Sequence, residues 1–163
     1  MIIADASSLI LLAKLNMLDN IIKHSKHKLA IPEQVYEECT IKKGSFDAQI
    51  IAERVDKKLI EKRSILDKKF CNKLALDFNL GMGEAEAICL CMDLKSGIIT
   101  DDKKAINACR VLKIEFATVP KILVQFYKNK ILAKDEAVLT AGKLKEMGRY
   151  SEDIFNKLKE DLK

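Results

Sequence analysis

The chain has 163 residues, 48% of them hydrophobic and 33% charged, which describes a soluble globular protein long enough to build one proper core. No apolar run reaches the roughly 18 residues that a membrane span requires. The apolar N-terminus lacks a basic segment and already carries Asp5, so a secretory leader is not expected and a cytoplasmic setting is. Lys and Arg number 29 against 24 acids, for a formal charge of +5, a mild basic excess that suits a polyanionic partner without establishing one.

Residues 2–4 read as a buried strand, closed by Asp5. Ser7 or Ser8 then caps a helix that carries Leu11, Leu12, Leu15, Leu18 and Ile22 on one side. KLAI at 28–31 reads as a second short strand, and Pro32 fits the first turn of the EQVYEEC helix after it. Gly44 and Ser45 break the chain, after which Ile51, Val55 and Leu59 repeat at the helical period. LIEKRSI at 59–65 is either a short strand or the frayed end of that helix. KFCNKLALDF is helical, NLGMG interrupts it, and Glu84 opens the strongly apolar helix AEAICLCMDL, which Gly97 ends. GIIT is a strand, KKAINACRVL a helix, IEFAT a strand, and PKILVQFYKNK a helix with Pro120 in its first turn.

Strands alternating with helices in this way predict an α/β protein, a three-layer α/β/α arrangement around a central parallel sheet of four or five strands. Two amphipathic segments follow. One carries Ala137, Val138, Ala141 and Leu144; the other, after Ser151, carries Ile154, Phe155, Leu158 and Leu162. Without repeats, low-complexity stretches or linkers, residues 1–163 read as a single domain with a core over about 1–130 and a helical tail over about 131–163.

The acids stand out by position. Asp5 closes the first strand, and Asp101 and Asp102 close GIIT. In an open parallel sheet the C-terminal strand ends share one edge, where such sheets carry their sites. Acids gathered at one edge repel each other unless a cation sits among them, and a divalent ion with oxygen ligands is the simplest candidate. Asp5 could instead cap the next helix, but Ser7 and Ser8 can do that and leave it free. Asp101 and Asp102 cannot both point the same way, so one faces the edge while the other caps KKAINACRVL; Thr100 could add a hydroxyl.

Other residues carry plainer readings. Glu84 follows Gly81 and Gly83, which permit a sharp bend but form no dinucleotide fingerprint; it is either a site acid or a complement to the helix dipole. Glu86 lies about 200° further round and is expected to face solvent or a lysine. Glu37 and Glu38 read by themselves as a solvated face. The five cysteines are odd in number, match no zinc spacing and read as buried small apolar residues. His24 and His27 read as a solvated basic helix end.

Taken together, IADASSLILLAKLNMLDNI, IPEQVYEEC, LGMGEAEAI and IITDDKKA resemble the PIN-domain family, in the family's order and over about residues 2–125. The GEAEAI helix and the DD pair resemble in particular the prokaryotic, VapC-like branch. The resemblance implies a metal-dependent ribonuclease using Mg²⁺ or Mn²⁺, the toxin of a toxin–antitoxin pair, an antitoxin partner and a homodimer. It implies a catalytic set of Asp5, Glu38, Glu84, Asp101 and Asp102, with Asp5, Glu84 and one or both of Asp101 and Asp102 on the metal and Ser7 as a supporting hydroxyl beside Thr100; Glu37 could take the place of Glu38 with a small shift of the helix. The chain departs from that branch where Ile106 replaces its Arg and where Ala117, Thr118, Val119 and Pro120 replace its Gly-Thr-Leu-Gly turn, which removes no acid.

Carboxylate-held metal suits phosphodiester cleavage because it activates water and neutralises phosphate charge. No His stands where it could be the general base. Lys103, Lys104 and Arg110 are candidates for RNA phosphate contacts, or simply a solvated helix face. The alternative is a catalytically inactive module that keeps the fold and binds RNA or protein, although such a binder has no reason to gather carboxylates.

Overall fold

The structure, a computed structural model, describes residues 1–147 and 150–163. Its first compact unit, Met1–Ala117, contains a sheet of five parallel strands: β1 (Ile2–Ala4), β2 (Leu29–Pro32), β3 (Ile60–Arg63), β4 (Gly97–Ile99) and β5 (Phe116–Ala117). Their order is β3-β2-β1-β4-β5, with every pairing parallel. From β1 the chain steps outward through β2 to β3, then crosses back to β4 and β5. Because parallel crossovers are right-handed, the two directions of travel place their helices on opposite faces, and a three-layer α/β/α fold results.

One face collects α1 (Ala6–Lys14), α2 (Leu18–His24), α3 (Glu33–Thr40) and α4 (Phe46–Asp56); the other collects α5 (Lys68–Phe78), α6 (Met82–Leu94) and α7 (Lys103–Leu112). α6 lies across β1, β2 and β4, and its Ala85, Ala87, Ile88, Leu90 and Cys91 are all buried. Its small residues let the helix approach the strands closely, and apolar residues around most of its circumference fit a helix buried on more than one side. Ile3, Ala4, Ala30, Ile31, Ile98 and Ile99 complete this core. Both faces of the central strands are covered, which is why they read as continuous apolar runs instead of alternating ones.

Several local expectations are corrected. The helix expected to run through Ile22 is two, α1 and α2, divided at Asn16, whose left-handed φ of 56° Asn tolerates better than most residues. LIEKRSI resolves as β3, because its backbone pairs with Leu29–Pro32. α4 accordingly stops at Asp56, before Leu59, and the left-handed Lys58 turns the chain into the strand. Pro32 ends β2 and stands at the N-cap of α3, one residue before the helix in which it was expected.

The second compact unit, Thr118–Lys163, consists of α8 (Val119–Lys128), α9 (Lys134–Glu146) and α10 (Glu152–Asp161), which pack on one another. Ala137 and Leu144 of α9 and Phe155, Leu158 and Leu162 at α10 are buried, whereas Val138 and Ile154 remain exposed. Among the described residues, no helix is long and apolar enough to cross a membrane.

Candidate active site

The register of the central strands sets the geometry. Ala4 pairs with Ile99, so Asp5 and Thr100 leave the sheet side by side, and the Asp5 N–H donates to the Ile99 carbonyl at 3.2 Å. α3 starts from β2 at the same edge.

Asp5 is 1% exposed. Its Oδ1 accepts from the Ser8 N–H at 2.8 Å and from Ser7 Oγ at 3.2 Å. Asp5 itself is therefore the N-cap of α1; Ser7 and Ser8 lie inside the first turn and do not serve as the cap expected of them. A carboxylate at the positive end of a helix is favourable, but the cap occupies only one oxygen. Oδ2 is buried and has no hydrogen-bond partner among the described residues.

Asp102 repeats the arrangement on α7. Its Oδ1 accepts from the N–H groups of Lys104 at 2.8 Å and Ala105 at 2.9 Å. Thr100, fully buried, turns its Oγ1 to accept from the Asp102 N–H at 3.3 Å, so its hydroxyl serves this turn. Asp101 is half-buried beside it. Glu84, also half-buried, folds its Oε2 back onto the N–H of Gly81 at 2.9 Å, capping α6.

Glu38 reaches the same place from the other layer. Its carboxylate lies directly over Gly83: a Cβ at that position would stand 2.6 Å from both Glu38 oxygens. The carboxylate also accepts from Gln34 Nε2 at 3.3 Å. Both Glu37 and Glu38 are exposed, and it is the Glu38 carboxylate that stands against α6.

The acids sense one another. Burial pushes the Glu84 carboxyl above the ordinary Glu range, and the charges of Asp102, Asp5 and Glu38 add to that shift, opposed by the hydrogen bond from the Gly81 N–H. Four carboxylates from four segments thus share one electrostatic neighbourhood. As they stand, no three His, Cys, Asp or Glu side chains among the described residues are grouped so as to enclose a metal, which is consistent with three of these carboxylates each turning an oxygen toward a helix N-terminus. Two observations nonetheless suit a hard divalent cation. A buried carboxylate oxygen without a partner is costly and gains from one. The space over Gly83 admits a carboxylate into the first turn of α6. Oxygen-only donors select Mg²⁺ or Mn²⁺ over softer ions.

The remaining candidates lie outside this cluster. All five cysteines are free and buried. Burial raises the Cys39 and Cys91 thiols to about 12 and the Cys109 thiol to about 11, and the Glu38 and Asp5 charges add to the effect at Cys39. His24 and His27 are exposed on and after the last turn of α2. Lys103 and Lys104 are exposed in the first turn of α7, next to Asp102, while the Arg110 guanidinium lies 5.7 Å over the Phe116 ring, so packing occupies part of its surface.

Sequence reasoning missed two residues here. Gly83 was read only as a source of backbone bend, yet it lies inside α6 and makes room for Glu38. Glu86, expected to face solvent or a lysine, accepts from the Gln34 N–H at 3.3 Å and so caps α3, whose own N-cap residue, Pro32, supplies no side-chain cap. A glycine within a helix and a helix start lacking a polar cap were the available signals.

Comparison with known proteins agrees with the fold. The crystal structure of PAE2754 from Pyrobaculum aerophilum is similar at a TM-score of 0.55, covering 76% of this chain and 93% of that one at 20% identity. No curated protein matches the chain. The family model DUF3368, described as a PIN domain, matches residues 1–163, and the chain therefore belongs to the PIN-domain family, whose members are typically nucleases.

Proposed function

We propose that this protein is a divalent-metal-dependent endoribonuclease acting on single-stranded RNA. The observation that carries the reading is the buried, partnerless Asp5 Oδ2 at the sheet edge, to which the caps of α6 and α7 bring Glu84 and Asp102 and the space over Gly83 brings Glu38. A binder of a polyanion gains nothing from four carboxylates in one place.

In this reading Asp5, Glu84, Asp102 and Asp101 hold the metal and Glu38 completes the acidic wall. Bound Mg²⁺ or Mn²⁺ would supply an activated water and neutralise charge on the scissile phosphate. The chain's own residues do the remaining work. The helix caps fix one oxygen each of Asp5, Glu84 and Asp102 and so limit their rotamers before metal arrives. Glu84, whose carboxyl burial and the neighbouring charges raise, would ligate as the carboxylate, so metal binding there competes with its proton. Lys103 and Lys104, exposed beside Asp102, meet the RNA phosphates. The role of toxin, with an antitoxin partner and a homodimeric state, belongs to the same reading and rests on the resemblance of the GEAEAI and DD segments.

The test is cleavage of single-stranded RNA by purified protein in Mn²⁺ or Mg²⁺, with chelator as control. Asp5→Asn, Glu38→Gln, Glu84→Gln and Asp102→Asn are each expected to lose most of the rate. RNA bound at unchanged affinity by all four variants, with no cleavage by the wild type under any divalent ion, establishes the non-catalytic module instead. Growth arrest on expression, relieved by the product of an adjacent gene, tests the toxin role.

A further inference from the structure

We propose that Gly83 and Glu86 are positioning residues that α6 uses to set the Glu38 carboxylate beside Glu84; the proposal rests on the nuclease reading above. Glu38 belongs to α3 and Glu84 to α6, two helices that come from different layers and meet along their sides. Neither sequence neighbourhood fixes the distance between the two acids. Two contacts do.

The first is an absence of atoms. Gly83 is buried in the first turn of α6, one residue before Glu84, and the Glu38 carboxylate occupies the volume its side chain would fill. An alanine Cβ would lie 2.6 Å from both oxygens, so the carboxylate would have to retreat by about 0.8 Å to reach ordinary contact at 3.4 Å. Glu38 is an exposed, flexible side chain and can yield without disturbing the fold. The helix itself favours alanine, and no left-handed backbone is required at this position. Gly83→Ala thus moves one acid and leaves the scaffold alone.

The second is a relay. The Glu86 Oε2 accepts from the Gln34 N–H in the first turn of α3, and the Gln34 side chain in turn donates from Nε2 to Glu38 Oε1, both at 3.3 Å. Glu86 thereby holds the start of α3 against α6, and Gln34 carries that hold to Glu38. A glutamine at position 86 keeps an oxygen acceptor; an alanine does not.

The experiment measures Mn²⁺ affinity by titration calorimetry for wild type, Gly83→Ala, Glu38→Asp, the double variant, Glu86→Ala and Glu86→Gln, and thermal unfolding in chelator for these together with Glu38→Ala and its double variant with Gly83→Ala. Disturbing a residue next to a metal's ligands typically costs about 10–100-fold in metal affinity, so Gly83→Ala, which displaces Glu38, is expected to weaken Mn²⁺ binding by about that factor while its metal-free melting temperature holds or rises. Shortening the acid withdraws it from the new methyl, so Glu38→Asp is expected to weaken binding in the wild-type background but to restore part of it in Gly83→Ala. Glu86→Ala is expected to weaken binding and Glu86→Gln to retain it. Equal Mn²⁺ affinity in Gly83→Ala and wild type, or the same penalty for Glu38→Asp in both backgrounds, overturns the proposal. A metal-free arm separates this from the nuclease reading: the effects of Gly83→Ala and Glu38→Ala on melting temperature are expected to be non-additive because the two sites touch. Additivity overturns the contact itself. Non-additivity with no Mn²⁺ bound to wild type keeps the contact and overturns both the metal reading and the positioning role built on it.

Discussion

Asp5 has two separable jobs, and a pair of substitutions divides them. Its Oδ1 caps α1 through the Ser8 N–H at 2.8 Å, while the buried Oδ2 has no partner among the described residues and faces the repulsion of the other acids. Asp5→Asn keeps the capping oxygen and removes the charge. Asp5→Ala removes both. Losing such a cap costs about 0.5–2 kcal/mol, and each kcal/mol moves the melting temperature of a chain of this size by about 2–4 °C. In chelator, Asp5→Ala is therefore expected to melt about 1–8 °C below Asp5→Asn, which itself holds close to wild type because the lost charge was repulsive. With Mn²⁺ the ranking changes. Free metal at 100 times its dissociation constant would stabilise wild type by about 2.7 kcal/mol, and both variants are expected to lose most of that gain. Differential scanning fluorimetry with and without Mn²⁺ reads all of it. A full metal-induced shift in Asp5→Asn would falsify the assignment of Oδ2 to the metal, and equal melting of Asn and Ala variants in chelator would refute the capping argument.

Other outcomes follow from the same geometry. Because the Glu84 carboxyl is raised, the native state holds its proton more tightly than the unfolded chain does, so metal-free stability gains a contribution as pH falls toward the ordinary Glu range; Glu84→Gln is expected to flatten that part of the melting-temperature profile, and an unchanged slope counts against the clustered-acid picture. Native Cys39, Cys91 and Cys109, with thiols held at about 11 to 12 by burial, are expected to resist a thiol reagent at pH 8 until denaturant is added, after which all five cysteines react; fast labelling of the native chain contradicts the burial. Arg54 grips Asp19 with two hydrogen bonds of 2.7 and 2.8 Å, a geometry lysine cannot reproduce, so Arg54→Lys is expected to lower stability by up to about 1 kcal/mol in urea unfolding. Lys103→Ala with Lys104→Ala is expected to weaken RNA binding and reduce its salt dependence while leaving Mn²⁺ affinity intact; an unchanged salt slope places the RNA elsewhere.

The sequence by itself determined the elements whose signals are local. IIA and GII are short apolar runs closed by acids, and both formed strands with the acids at one edge. The α/β alternation, the helix opened near Glu84 and the burial of the cysteines were legible for the same reason: periodicity and composition act over a few residues. Pairing across the chain was not legible. LIEKRSI became a strand only because β2 offered its backbone, and nothing within seven residues could decide that against a frayed helix. The preference for Glu38 over Glu37 at α6 required the rotation of α3 about its own axis, and α3 meets α6 through contacts as remote in sequence as the Gln34 N–H to Glu86, 52 positions away. Gly83 acquired its meaning from the carboxylate that fills its missing side chain. Distances between side chains on separate helices are set by packing, and packing is a sum over the whole chain, so the sequence could offer candidate acids while the spacing between them was decided by the tertiary structure.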